Sequence, residues 1–274
     1  MRYLLTALLC CLLNCATASK DTHQTEPPTS AADATNTPDL MALAESVKAD
    51  PNNSDLQYQL GNALFDTHRY EQARVAYETA IQLAPQNVNA HANLGLCLRR
   101  LGLAEEGIAH YQAALALDPN DAQVRRNLAV ALEQKEDYQA AIDQYERLLE
   151  NEPDDATTLS RYANAQFHLE HYEQAADAFE RVLRIDPSLD NGYYNLGLCY
   201  YSLEHWDLAL TTWLTALARE PRNPSIHKGL AAVYWKRGEF EQARKAINQC
   251  RALGGTVDPQ FLATLQADEQ AARP

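Results

Sequence analysis

The sequence predicts an all-α solenoid of stacked antiparallel helix pairs, and three observations support this fold class. Prolines recur with a fixed period of 34 residues, which is the sequence mark of stacked helix–turn–helix pairs. A small residue recurs at the eighth position of each period, and a large aromatic one recurs at the twenty-fourth position of the first five. No segment has the apolar–polar alternation of a β-strand. The six prolines are Pro51, Pro85, Pro119, Pro153, Pro187 and Pro221.

The first two segments of the chain are interpreted as an export signal and a tether. Residues 1–18 carry one cation and then an apolar stretch that is too short to span a bilayer, as in a secretory signal peptide. Cleavage after Ala18 predicts a mature chain beginning at Ser19, in the periplasm or secreted. Residues 19–37 are rich in Ser, Thr, Ala and Pro, which predicts a disordered tether.

Two alternatives remain open at the N-terminus. The segment Leu12-Leu13-Asn14-Cys15 resembles a bacterial lipobox, in which Cys15 would be lipidated and would become the new N-terminus. Contact with a membrane is expected only in that case. An uncleaved signal is the other alternative.

The folded body is predicted to begin at Pro38. Residues 38–53 have apolar residues at helical spacing and correspond to the second helix of a truncated unit, an N-terminal capping helix. Residues 258–274 predict a C-terminal capping helix with Asp258 as its N-cap, and a tail that frays from Gln266. Between them lie six units, at 54–87, 88–121, 122–155, 156–189, 190–223 and 224–257.

The repeated pattern resembles the tetratricopeptide repeat (TPR), whose signature is W-x2-L-G-x2-Y, then A-x3-F, then P. The fifth unit carries it as Tyr193-x2-Leu196-Gly197-x2-Tyr200, then Ala209-x3-Trp213, then Pro221. The resemblance covers residues 54–257. It implies a right-handed superhelical solenoid of six TPR units whose first helices line a concave groove.

Composition and motifs argue against an enzyme and against a nucleic-acid-binding protein. The net charge of −14 would repel nucleic acid. No GxSxG, Walker-type, HExxH or GxGxxG motif is present, so no catalytic residue, metal ligand or cofactor is predicted. Cys97, Cys199 and Cys250 are predicted to be buried thiols. His91 and His227 are expected to be hydrogen-bonded packing residues.

The candidate functional surface is the groove, which the resemblance places at positions 2, 5, 6, 9, 12 and 13 of each unit. These positions hold six cations and three acids, in a chain with 23 Lys and Arg against 37 Asp and Glu. We therefore expect a basic groove in an acidic protein. The cations are Arg99, Arg100, Arg126, Arg161, Lys228 and Lys236, and the acids are Asp55, Asp66 and Glu133.

Asparagines and aromatic residues complete the predicted groove. Amides at positions 6 and 9 could hold the backbone of an extended peptide. They are Asn93, Asn127 and Asn195 at position 6, and Asn62 and Asn164 at position 9. Tyr194, Tyr201 and Trp235 would anchor a partner at the C-terminal end. In a competing interpretation the amides bond between neighbouring first helices and the aromatic rings pack against adjacent units.

The sequence therefore predicts a non-catalytic protein–protein interaction scaffold of the cell envelope. It would bind an extended or acidic segment of a partner protein in the groove. Two alternatives remain, a lipid-anchored assembly or pilot factor for an outer-membrane or secretion complex, and a non-catalytic regulator of an envelope enzyme.

Overall fold

The computed structural model describes residues 40–272, which form fourteen α-helices and no β-strand. The helices are α1 (Leu40–Ala49), α2 (Ser54–Asp66), α3 (Tyr70–Leu83), α4 (Val88–Arg100), α5 (Ala104–Leu117), α6 (Ala122–Gln134), α7 (Tyr138–Asn151), α8 (Ala156–His168), α9 (Tyr172–Ile185), α10 (Asp190–Ser202), α11 (Trp206–Arg219), α12 (Pro224–Lys236), α13 (Phe240–Ala252) and α14 (Pro259–Ala271). The prediction of an all-α helical-repeat protein is confirmed. The predicted signal peptide, Cys15 and the tether lie outside the described residues.

Helix contacts divide the described residues into two compact units, and each is treated by itself. The N-terminal unit ends at Pro153 and contains α1 to α7; the C-terminal unit begins at Asp154 and contains α8 to α14. Within each unit, consecutive helices form three pairs, and the first helices of neighbouring pairs also touch one another. Among residues 40–272, no helix is long and apolar enough to cross a membrane.

The first helices begin at capping side chains that recur with the repeat. Asn53, Asn87, Asp121, Asp155 and Asn223 each accept a hydrogen bond from a backbone N–H in the first turn of the helix that follows. These bonds satisfy donors that have no partner within the helix. The last helix, α14, is capped in the same way by Asp258 and continues to Ala271. The prediction that the tail frays from Gln266 is therefore wrong, because residues up to Ala271 are helical.

The core of each pair is built around one large side chain that faces a small residue. Tyr77, Tyr111, Tyr145, Phe179 and Trp213 are all buried. A Cβ added to Gly61 would lie 2.5 Å from the Tyr77 ring, and one added to Gly95 would lie 2.9 Å from the Tyr111 ring. The small residue at position 8 is therefore what lets the second helix place its large residue against the first helix.

The three described cysteines are buried free thiols, as predicted. The Sγ of Cys97 donates to the backbone carbonyl of Tyr70 at 3.1 Å. Burial raises the pKa of Cys97 and of Cys199 to about 12. Both side chains therefore stay protonated at neutral pH and act as packing groups.

The turn within each helix pair requires a left-handed backbone at one residue. This residue recurs every 34 positions, with φ between 59° and 80°, and it is Gly in two pairs only. A side chain at positive φ crowds its own carbonyl, whereas glycine does not. The six residues are His68, Gly102, Glu136, Glu170, Glu204 and Gly238.

Replacing Glu170 by glycine is therefore expected to stabilise the protein by about 1 kcal/mol, because it removes strain at the end of α8. Urea denaturation followed by circular dichroism would measure the change. Gly238→Glu is the matched reverse change, and it should lower the free energy of unfolding by a similar amount. A destabilised Glu170→Gly variant would contradict this account.

Candidate functional site

Positions 2, 5, 6, 9, 12 and 13 of the first helices lie on one side of each helix, and we call them the first-helix face. In the N-terminal unit this face contains the predicted groove residues Asn62, Asn93, Arg99, Arg126 and Asn127. In the C-terminal unit it contains Arg161, Asn164, Tyr194, Asn195, Tyr201, Trp235 and Lys236. The structure places these residues in different environments, from fully buried to partly open to solvent.

Four of the five groove asparagines join neighbouring first helices. In the N-terminal unit, Asn62 Oδ1 accepts hydrogen bonds from the Tyr77 hydroxyl and from Asn93 Nδ2, both at 2.8 Å. In the C-terminal unit, Asn195 Nδ2 donates to Asn164 Oδ1 at 3.2 Å. The two bonds between asparagines link α2 to α4 and α8 to α10, which is the structural role that the competing interpretation gave them, and the Tyr77 bond links α2 to α3.

Two asparagines are removed from solvent altogether. Asn93 is 2% exposed and Asn127 is 1% exposed. A partner could not reach either amide without separating the first helices. The prediction that these two residues contact a partner is wrong. Asn93 bonds to Tyr58 and Asn62 of the preceding first helix, and the buried Asn127 accepts a hydrogen bond from Gln123 of its own helix.

Tyr201 is also an interior residue. It is 2% exposed, meets Trp206 edge-on with ring centroids 5.1 Å apart, and lies 5.8 Å from the Trp213 ring. Burial raises its pKa well above the ordinary value for tyrosine. The prediction that Tyr201 anchors a partner is wrong, because the two tryptophans of α11 pack over its ring.

Trp235 is half-buried and engaged by the capping helix α14. Its Nε1 donates to Asp268 Oδ2 at 2.8 Å, and its ring meets Phe261 edge-on at 5.4 Å. The Lys236 ammonium lies 4.4 Å from the Trp235 ring centroid and 5.9 Å from that of Trp206. The ammonium of Lys236 therefore lies on the first-helix face and makes cation–π contacts with both indole rings.

The remaining predicted residues are half-buried on the surface. In the N-terminal unit, Arg99 donates to Gln134 Oε1 at 3.4 Å, and Arg126 lies 3.5 Å from Gln123 Oε1 and 3.9 Å from the carboxylate of Glu152. In the C-terminal unit, Arg161 and Tyr194 are half-buried on α8 and α10. Their side chains are partly open to solvent.

The charge of the first-helix face differs between the two units. In the N-terminal unit its three cations are matched by three acids, whereas in the C-terminal unit its three cations have no acid among the same positions. The cations of the C-terminal unit are Arg161, Lys228 and Lys236. The predicted excess of positive charge on this face, opposite in sign to the net charge of the chain, therefore comes from the C-terminal unit.

A set of hydrogen bonds at position 4 was missed by the sequence analysis. The side chain at this position bonds to the backbone carbonyl of the proline six residues earlier in four pairs. The bonds join Gln57 to Pro51, His91 to Pro85, Arg125 to Pro119 and His227 to Pro221. The signal was present in the sequence as a polar residue at a fixed distance from each of these prolines. The prediction that His91 and His227 are hydrogen-bonded packing residues is confirmed.

His91 has a second partner in the N-terminal unit. Its Nδ1 lies 3.1 Å from Nδ1 of His110 on α5. Burial and the neighbouring His91 lower the pKa of His110 below the ordinary value for histidine, and Glu106 opposes this shift. Within residues 40–272, no group of three His, Cys, Asp or Glu side chains is arranged to hold a metal ion.

An open cavity of about 500 Å³ lies between α13 and α14. Ile247, Leu262 and Leu265 form its apolar part, and the Arg244–Glu269 ion pair, 3.1 Å long, spans its edge. None of the predicted groove residues lines it.

Stacked helix pairs with an open polar face define a helical-repeat protein of the kind that presents a surface to other proteins. The family model for the tetratricopeptide repeat matches residues 58–122, 126–190 and 194–254, and the chain belongs to this family. Proteins built from this repeat generally serve as protein–protein interaction scaffolds. A search of curated proteins found no match.

Solved structures similar to this chain have the same fold at low sequence identity. YrrB, a TPR protein with an unusual peptide-binding site, has a TM-score of 0.62 and 18% identity, over 68% of this chain and 96% of that one. A tetratricopeptide repeat protein from Parabacteroides merdae has a TM-score of 0.63 and 18% identity, over 80% of this chain and 86% of that one. MamA from Desulfovibrio magneticus has a TM-score of 0.58 and 20% identity, over 61% and 94%.

Proposed function

We propose that this protein is a non-catalytic interaction scaffold that binds an acidic, extended segment of a partner protein on the first-helix face of its C-terminal unit. Arg161, Lys228 and Lys236 would attract carboxylates of the segment. Tyr194 is half-buried on the same face and would supply apolar contact. The observation that carries the proposal is the presence of three cations and no acid on this face, in a chain of net charge −14.

The surroundings of these residues support a preformed surface. The Asn195–Asn164 bond ties α10 to α8, and Trp213 Nε1 donates to the backbone carbonyl of Tyr194 at 3.1 Å. The face is therefore held in place before a partner arrives, which reduces the entropy lost on binding. A structural relative, YrrB, carries a peptide-binding site on the same fold.

Charge reversal on this face should weaken binding of an acidic peptide by about fourfold or more. The test compares the full chain with the double variant Arg161→Glu, Lys228→Glu, using fluorescence anisotropy of a labelled Glu-rich peptide of about twelve residues. Each exposed ion pair lost removes roughly 0.2–1 kcal/mol, and the new like-charge contacts add a repulsion of similar size. The wild-type affinity should also fall as salt is raised.

The matched control is Arg184→Glu, Lys245→Glu, which changes the net charge equally at exposed positions of the second helices α9 and α13. Its affinity should stay within twofold of the wild type. Circular dichroism would establish that all three proteins are folded. Equal weakening by both double variants would show a general charge effect and would exclude the first-helix face as the binding surface.

For the location of the protein we propose the cell envelope, on the evidence of the signal-like residues 1–18. Cleavage after Ala18 would release a soluble chain into the periplasm or the medium, and acylation of Cys15 would anchor it to a membrane. The intact mass of the mature protein distinguishes the two, because the first product begins at unmodified Ser19.

A further inference from the structure

Two histidines of the N-terminal unit face each other across a helix pair. His91 lies on α4 and His110 on α5, with their Nδ1 atoms 3.1 Å apart. Their ring centroids are 5.3 Å apart, and the ring planes are inclined by 33°. His91 Nε2 lies 3.2 Å from the backbone carbonyl oxygen of Pro85. Both rings are half-buried.

The Pro85 carbonyl determines which nitrogen of His91 carries the proton. A carbonyl oxygen only accepts, so Nε2 of His91 must be the donor, and its Nδ1 has a free lone pair when the ring is neutral. In the metal-free protein, His110 Nδ1–H donates to that lone pair. A backbone carbonyl that accepts from the second ring nitrogen is also the usual way in which a metal-binding histidine is oriented.

We propose that His91 and His110 form a binding site for a divalent transition metal ion of the kind that favours imidazole, Ni²⁺, Cu²⁺ or Zn²⁺. Two nitrogen ligands at about 2.0–2.1 Å from such an ion lie about 2.9 Å apart at a right angle and about 3.3 Å apart at the tetrahedral angle. The observed Nδ1–Nδ1 separation of 3.1 Å falls between these values. The two nitrogens are therefore already at the spacing of a two-point chelate.

Binding requires one change of tautomer and a rotation of both rings, because the two Nδ1 atoms point nearly at each other and must turn toward an ion that lies off the line between them. The proton on His110 Nδ1 moves to its Nε2 through solvent, which leaves both Nδ1 lone pairs for the ion and releases no proton overall. Glu106 stands one turn before His110 on α5, and rotation of its exposed side chain could add a carboxylate oxygen. Water would complete the coordination. The ion would fasten α4 to α5.

The repeat itself contains a matched single histidine. His227 occupies the same position as His91 in its own pair and lies 3.4 Å from the Pro221 carbonyl, but the residue at the position of His110 is Ala246. Glutamine occurs naturally at both positions of the site, as Gln57 and Gln144, and each makes a hydrogen bond there. The variants His91→Gln and His110→Gln are therefore compatible with the fold.

The test is calorimetric titration of the metal-stripped full chain, purified without a polyhistidine tag, with Ni²⁺, Cu²⁺ and Zn²⁺ separately. We expect one ion per chain for at least one metal, bound at least tenfold more tightly than by His91→Gln or His110→Gln. The melting temperature should rise with that metal in the wild type and in His227→Gln, and should not rise in the two site variants.

Failure of all three metals to bind would overturn the proposal. Equal affinity in the wild type and in the double variant His91→Gln, His110→Gln would also overturn it, since the ion would then sit at other histidines. Either result would mean that His91 and His110 only form an N–H···N hydrogen bond with each other.

Discussion

Trp213→Ala is expected to lower the free energy of unfolding by about 3–5 kcal/mol, the range for removing a fully buried aromatic side chain. Trp213 is 0% exposed, and Gly197 and Gly229 of the first helices α10 and α12 lie against its indole ring. The substitution would leave a cavity that joins two helix pairs of the C-terminal unit. It would also remove the hydrogen bond from Nε1 to the Tyr194 carbonyl.

Urea denaturation followed by far-ultraviolet circular dichroism would measure this loss. Leu214→Ala is the control, because Leu214 is the next residue of α11 and its side chain is exposed. The control should change the free energy of unfolding by less than about 0.5 kcal/mol. A similar small change in Trp213→Ala would mean that the indole is not a core element of the pair.

Gly197→Leu is expected to lower the free energy of unfolding by about 1–3 kcal/mol through overpacking. A Cβ at this position would lie 2.5 Å from Cδ1 of Trp213, closer than such atoms approach in folded proteins. The same denaturation experiment measures the effect. Ala218→Leu on α11 introduces the same side chain at an exposed position without a clash and is expected to be near neutral. An unchanged free energy of unfolding in Gly197→Leu would contradict the assignment of position 8 as the point where the two helices of a pair approach most closely.

A double-mutant cycle tests whether the two residues form one packing unit. The fourth repeat pairs Ala163 with Phe179 at the two corresponding positions, and both are buried. Gly197→Ala should therefore destabilise the wild type more than it destabilises Trp213→Phe. Additive effects would show that the glycine and the ring do not constrain each other.

The sequence was sufficient for the repeat and its helices because both follow from local patterns. The 34-residue period of the prolines, the small residue at position 8 and the large one that faces it appear in the chain itself. The left-handed turn residues were harder to recognise from the sequence. At two of these turns the residue is a glycine, Gly102 or Gly238, which indicates a left-handed backbone. Glu136, Glu170 and Glu204 adopt the same backbone conformation without a sequence signal.

The candidate surface was predicted less well, because it depends on what each first helix meets in the next. Asn62 and Asn93 stand at different positions of the repeat, and only the packing of α2 on α4 brings their amides to 2.8 Å. Tyr201 has the spacing of an exposed groove residue, but the tryptophans of α11 cover it. Packing within one pair, of α4 against α5, made His91 and His110 neighbours although they are nineteen residues apart.

The sequence by itself determined the fold class, the helix pairs and the sign of the charge at the first-helix positions. Periodicity and charge are properties of the chain, and they hold whatever the neighbouring helices do. Tertiary structure alone decided which polar groups remain available to a partner, because each amide and ring first competes for hydrogen bonds and contacts with the adjacent helix. Asn93 and Tyr201 were used in this way, whereas Arg161 and Tyr194 remain partly open to solvent.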